Sequence, residues 1–162
     1  MGVDPGTLVT GFGLIKVDAR QAMKALDYGC IKPPSSQKLS DRYLIIHNDI
    51  ERLIAMYEPD IVVVETQYVH KNVQSAIKLG MARGIVIVAA RKGGAKVVEY
   101  SPTKAKKAVC HGRASKHQVK SMVQHLLQLP HLPEPEDAAD ALALAICHAN
   151  ALKENRIIGQ EV

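Results

Sequence analysis

The sequence predicts an α/β domain, one mixed β-sheet with helices on both faces. Three observations carry this. Residues 60–65, Asp-Ile-Val-Val-Val-Glu, form a short, continuous apolar run, the pattern of a strand covered on both faces. Two β-rich segments precede it, and helical and extended patterns alternate after it until the chain closes on helices. A length of 162 residues suits one domain with its own core.

The elements follow in order. A first strand ends at Asp4, just before Pro5-Gly6. Residues 11–17 and 25–32 read as two further strands, bounded by Gly, Asp and Pro. Pro33-Pro34-Ser35-Ser36 is a loop, and Ser40 is placed to cap a helix over 40–57. Tyr43, Ile46, Ile50, Leu53 and Ile54 fall on one face of that helix. Pro59 closes it ahead of the apolar strand. A helix over 72–92 ends at Gly93-Gly94, and 96–100 is again a strand. Ser101-Pro102 opens a short helix to about residue 109. A basic loop spans 111–114, and Ser115-x-x-Gln118 is a capping box for a helix ending near 129. Prolines in 130–135 break the chain before a last helix over 136–152, with the final ten residues or so a tail. No repeat, low-complexity tract or long linker divides 1–162, which reads as a single domain.

Composition narrows the class. The longest apolar runs, 61–64 and 85–90, are too short to span a bilayer, and the opening residues lack the pattern of a signal peptide. Cys30, Cys110 and Cys147 are widely spaced and odd in number, which suits reduced thiols of a cytoplasmic protein. The histidines His111, His117, His125, His131 and His148 fit no zinc spacing. Net charge is +5, from 21 Lys or Arg and 16 Asp or Glu. It is unevenly spread. Residues 66–126 hold 12 bases and one acid, Glu99, for a net +11, while the remaining 9 bases and 15 acids make −6. Such a split points to a polyanion met from one side.

The acids outside that tract include a distinct set. Asp4 and Glu65 each end a predicted strand, where α/β sheets place their sites. A carboxylate ending an apolar strand is costly unless it meets a cation or hydrogen-bond donors. Asp137 and Asp140, three apart at the start of the last helix, share one face. Four carboxylates facing one point repel each other, and hard divalent cations such as Mg²⁺ or Mn²⁺ resolve that repulsion through oxygen-only ligands. Two such ions about 4 Å apart clamp the attacking water and leaving oxygen of a phosphodiester. The acids would then hold metal while the basic tract holds a phosphate backbone.

Five blocks carry a family resemblance. They are Gly2-Val3-Asp4-Pro5-Gly6-Thr7 with Thr10-Gly11-Phe12-Gly13; Glu65-Thr66-Gln67-Tyr68 with Lys71-Asn72; Leu79-Gly80-Met81-Ala82-Arg83-Gly84; Gly112-Arg113-Ala114-Ser115-Lys116; and Asp137-Ala138-Ala139-Asp140-Ala141-Leu142. In order and spacing the chain resembles the RuvC family of bacterial Holliday junction resolvases, to about Asn150. The resemblance implies a ribonuclease H-like fold and a homodimer, to which the helix carrying 79–84 contributes. It implies Mg²⁺-dependent, paired symmetric nicking of four-way junction DNA in recombination and repair, with Mn²⁺ able to substitute. The products would carry 5′-phosphate and 3′-hydroxyl ends.

By motif match, Asp4, Glu65, Asp137 and Asp140 become the catalytic ligands of two ions, with Asp4 bridging them. Lys106 and Lys116 match lysines that contact phosphates near the cut, and Tyr68 falls where an aromatic stacks on junction bases. Lys71, Lys107 and Arg113 are further candidate DNA contacts within the basic tract. The RuvA–RuvB branch-migration complex is the implied partner. Two features depart from the family pattern: fewer residues precede Gly2-Val3-Asp4, so the first strand reads as truncated, and the loop at 110–112 is about one residue short.

Other readings fit the sequence less well. A Gly-x-Asp-x-Gly-Thr block also opens the phosphate loop of actin-like ATPases, but 162 residues leave no room for their duplicated domain. RuvC-like nucleases of ribosomal RNA precursors share the first aspartate without the full set of blocks. A catalytically silent junction binder would gain nothing from four carboxylates set against phosphates.

Overall fold

The computed structural model describes residues 1–66, 72–153 and the backbone of 160 and 161. Strands β1 (Gly2–Asp4), β2 (Thr10–Val17), β3 (Met23–Ile31), β4 (Ile61–Glu65), β5 (Lys96–Tyr100) and β6 (Gln160–Glu161) form one sheet in the spatial order β3-β2-β1-β4-β5-β6. The first three pair antiparallel, β1, β4 and β5 run parallel, and β6 pairs antiparallel with β5. Helices α1 (Leu39–Tyr57), α2 (Val73–Lys92), α3 (Pro102–Val109), α4 (Lys116–Leu127) and α5 (Glu136–Lys153) complete the chain. The expected α/β class and mixed sheet are what the structure has.

The apolar run in β4 explains the layering. Val62 and Val64 join the core under α1 and α2, whereas Val63 faces the opposite layer with Leu144 of α5. All three are buried, so a strand with no polar face fits only between two helical layers. On α1 the buried set is the predicted one: Tyr43, Ile46, Ile50, Leu53 and Ile54. Asn72, Ser101 and Ser115 cap α2, α3 and α4 through side-chain oxygens, and the Ser115–Gln118 capping box is complete.

Some boundaries differ. α1 starts at Leu39 with Lys38 as its N-cap and no side-chain cap; Ser40 lies inside the first turn, where Asp41 and Arg42 amides already bond to the Lys38 carbonyl. β3 begins at Met23 because Asp18 closes a tight turn, its Oδ1 accepting from the amides of Arg20 and Ala22. The expected C-terminal tail includes β6, which supplies backbone partners to Val98 and Glu99 at the edge of β5.

β1 is three residues long, and its extension rests on Met1, whose amine donates to the Ile61 carbonyl at 2.8 Å. Burial pushes that amine down to about 6. A cavity of about 490 Å³, lined in part by Met1, Leu14, Ile61 and Leu152, lies at this end of β1, away from Asp4.

Among the described residues, α2 is long and apolar enough by length and composition to cross a membrane. Its Ala82, Val86, Ala89 and Ala90 are buried in the core shared with α1 and the sheet, and Arg83 pairs with Glu99 of β5. Those contacts make it a layer of this fold.

On the other face, α5 lies almost on the backbone of β1 and β2. A Cβ placed on Gly2 would stand 2.0 Å from the Ala141 carbonyl oxygen, and one on Gly11 2.0 Å from that of Asp137. One on Gly13 would meet Leu142 Cδ2 at 2.7 Å. The helix answers with small residues, Ala138, Ala141 and Ala145, all buried. Gly11→Ala forces backbone apart from backbone, so it should cost about 3 kcal/mol and lower Tm by roughly 6–12 °C in thermal denaturation. An unchanged Tm would mean that α5 stands further from the sheet.

Candidate active site

Three elements, β1, β4 and α5, bring the predicted acids within reach of one another. Asp4 ends β1 opposite Gly11 of β2, and Glu65 ends the neighbouring parallel strand β4, where Val3 pairs with Val64. Asp137 and Asp140 stand on the first turn of α5, which the glycine floor brings against those strand ends. A crevice of about 150 Å³ is lined by Glu65, Pro102, Ala105, Lys106, Lys116, Val119, Asp140 and Ala143. It lies at the carboxyl ends of the parallel strands, the usual place for a site in an open α/β sheet.

Lysines reach the rim by two routes. Lys106 sits on α3, which is tied to α5 by Asn150 Nδ2 donating to the Ala108 carbonyl at 3.1 Å and by the Cys147 thiol against the Lys104 carbonyl. Lys116 is the first residue of α4, and its ammonium lies 2.6 Å from Glu136 Oε1. Lys107 is exposed on α3 with its stem beneath Gly112, and Arg113 is exposed in the turn between α3 and α4. Tyr68 and Lys71 lie outside the described residues.

The acids perturb one another. Burial pushes the Asp4 carboxyl up to about 7, helped by Glu65, Asp140 and Asp137 and opposed by Lys116. Glu65 is pushed up to about 7 by burial and by Asp140, against the pull of Lys106. Asp140 is raised by burial, with Lys116 pulling the other way. Among the described residues, no three His, Cys, Asp or Glu side chains converge closely enough to grip one ion as they stand. The donor set is nonetheless all oxygen, with Asp4, Glu65 and Asp140 buried, which suits a hard divalent cation.

Comparison with known proteins identifies the family. The family model described as crossover junction endodeoxyribonuclease RuvC matches residues 1–148. The chain belongs to the RuvC family. A RuvC from Protochlamydia amoebophila is 61% identical over 150 residues, covering 92% of this chain and 89% of that protein. The Thermus thermophilus RuvC structure superposes with a TM-score of 0.87 at 31% identity, covering 99% of this chain and 98% of that one. A structure of the same Thermus RuvC in complex with Holliday junction substrate gives 0.88 at 30% identity, over 99% and 97%. The expected ribonuclease H-like fold is thus the RuvC fold.

Three features were not legible from residue patterns. Glu136 precedes Asp137 and reads as one more first-turn acid, yet it contacts Lys116. Cys30 of β3 lies within electrostatic reach of Asp137 and Asp4, and burial pushes its thiol up to about 11. The glycines of β1 and β2 read only as part of a motif block, and their packing role needs the position of α5.

The acid shifts set a pH dependence. Asp4 and Glu65 hold protons to higher pH when folded than when unfolded, so the stability they contribute is full near pH 4 and is lost as pH rises to about 7. Metal-free Asp4→Asn should therefore be more stable than the parent at pH 8, by about 2 kcal/mol or roughly 4–8 °C, with the difference closing toward pH 5. Denaturation scans across that range check this, and a difference independent of pH would contradict it.

Proposed function

We propose that this chain resolves four-way DNA junctions by paired, symmetric hydrolytic nicks in recombination and repair, using two Mg²⁺ ions per site, with Mn²⁺ able to substitute. The observation that carries the reading is that Asp4, Glu65 and Asp140 are buried within reach of one another and of Asp137, beside a crevice that Lys106 and Lys116 line. Divalent cations held there would supply water activation and charge for the departing oxygen. The chain's own residues do the rest. The four carboxylates act as the ligands, with Asp4 central because it feels the other three. Lys106 and Lys116 hold backbone phosphates beside the cut. Lys71, Lys107 and Arg113 extend the contact along the DNA, and Tyr68 stacks on junction bases. The products are 5′-phosphate and 3′-hydroxyl ends. The enzyme acts in the cytoplasm alongside the RuvA–RuvB branch-migration complex.

Symmetric cuts need two sites related by a two-fold axis, so the working unit is a homodimer. Support comes from α2. Ile77, Met81 and Val88 are 57%, 51% and 60% exposed along one stripe, and Leu44 of α1 is 60% exposed. Met81, Gly84, Ile85 and Val88 with His47 line a hollow of about 300 Å³, and a Cβ on Gly80 or Gly84 would meet nothing within 4 Å. Glycine in an exposed helix interior costs stability and is explained by the approach of a second helix.

The test incubates labelled four-way junction, linear duplex and precursor RNA with Mg²⁺. Paired symmetric nicks on the junction alone are expected. Cutting of precursor RNA would favour the RNA-processing alternative, and no cutting a silent binder. Asp4→Asn should bind the junction at least as tightly and cut nothing. Lys106→Ala should bind more weakly, with the slope of log affinity against log salt reduced by about one.

Sedimentation tests the dimer. The parent chain should sediment as a dimer at micromolar concentration and Met81→Glu as a monomer, with paired nicking lost. A monomeric parent would remove α2 as the interface.

A further inference from the structure

Beside the crevice, in contact with its lining residue Lys116, stands a fifth carboxylate that the four-acid set does not use. Glu136, the first residue of α5, places Oε1 2.6 Å from Lys116 Nζ. That oxygen is itself buried and has no directed hydrogen bond, so the Lys116 ammonium is the charge that meets it. Two residues earlier, Glu134 pairs with Lys120, one turn along α4 from Lys116. The segment Glu134-Pro135-Glu136 therefore grips α4 at two points a turn apart, just before the chain enters α5 with Asp137 and Asp140.

Lys116 needs such a partner. It occupies the first position of α4, after the Ser115 cap, where the helix dipole disfavours a cation. Its side chain is 68% exposed on a flexible stem. Asp4 and Asp140 attract it, yet they belong to the proposed metal ligands, and their attraction fades once cations neutralise them. Glu136 stands outside that set. Exposed ion pairs add little to folding stability, so the consequence of this one lies in where it holds the ammonium.

We propose that Glu136 is a positioning residue that acts through Lys116, holding its ammonium at the crevice rim to meet the backbone phosphate beside the scissile bond. The inference rests on the proposed junction-nicking reaction and adds to it a residue that the family motifs do not include.

A double-mutant cycle tests it, with single-turnover nicking rates, metal-free junction affinity and Tm measured for the parent, Glu136→Gln, Lys116→Ala and the double variant. Glu136→Gln should nick about tenfold more slowly, with affinity within about threefold and Tm nearly unchanged. In the Lys116→Ala background the same change should alter the rate less than about twofold. Equal loss in both backgrounds, or no loss in the parent, would overturn the proposal.

A second measurement needs no turnover. Reductive ¹³C-methylation of metal-free, DNA-free protein reads Lys116 directly by mass spectrometry and NMR. Lys116 should react faster, and its methyl signal should move, in Glu136→Gln. Identical behaviour in both proteins would show that the pair does not form and would end the proposal. If the parent fails to nick junctions while Lys116 still responds to Glu136, the proposed reaction is what has failed.

Discussion

The approach of α5 to the backbone of β1 and β2 governs the rest of the molecule. Gly2, Gly11 and Gly13 leave a floor with no side chains, and α5 settles on it until helix carbonyls lie where a Cβ would otherwise be. Alanines along the helix make that distance possible, since larger residues would lift it off the sheet. The consequence is chemical as well as structural. Asp137 and Asp140 reach Asp4 and Glu65 only because the first turn of α5 sits this low. α3 hangs from the same helix through Asn150 and Cys147, which carries Lys106 to the rim. The helix is thus both core and scaffold for the site.

That scaffold holds an electrostatic conflict. Burial and mutual repulsion raise Asp4 and Glu65 to about 7, so the protein spends stability to keep carboxylates together near neutral pH. Strain of this kind is ordinary at a working site, where function and stability pull apart. The basic tract answers on the outside. Lysines on α3 and α4 oppose the acids locally and line the same crevice, where the proposed phosphate contacts would lie. On that proposal, one charge split would serve both metal and a polyanionic substrate.

Much of this was legible before any coordinates. The β4 run announced a strand between two layers, and the heptad-like spacing of Tyr43, Ile46, Ile50, Leu53 and Ile54 announced the buried face of α1. Capping signals at Ser101 and Ser115 marked helix starts because they act within a few residues of chain. Ser40 misled for a related reason: a capping residue type carries no information about which neighbouring carbonyl closes the first turn, and here Lys38 does. β6 was missed because pairing with the β5 edge depends on a partner some sixty residues away.

The sequence by itself determined the class of fold, the four acids and the basic tract, since strand-end carboxylates, helix periodicity and charge balance are properties of residue type and local spacing. It also carried enough ordered motif to identify the family. Only the tertiary structure decided that three glycines form the seat of α5, that Lys116 faces Glu136, and that α2 presents an apolar stripe away from the core. Those facts depend on the distance between elements far apart in the chain. Packing sets such distances, and no local pattern of residues encodes them.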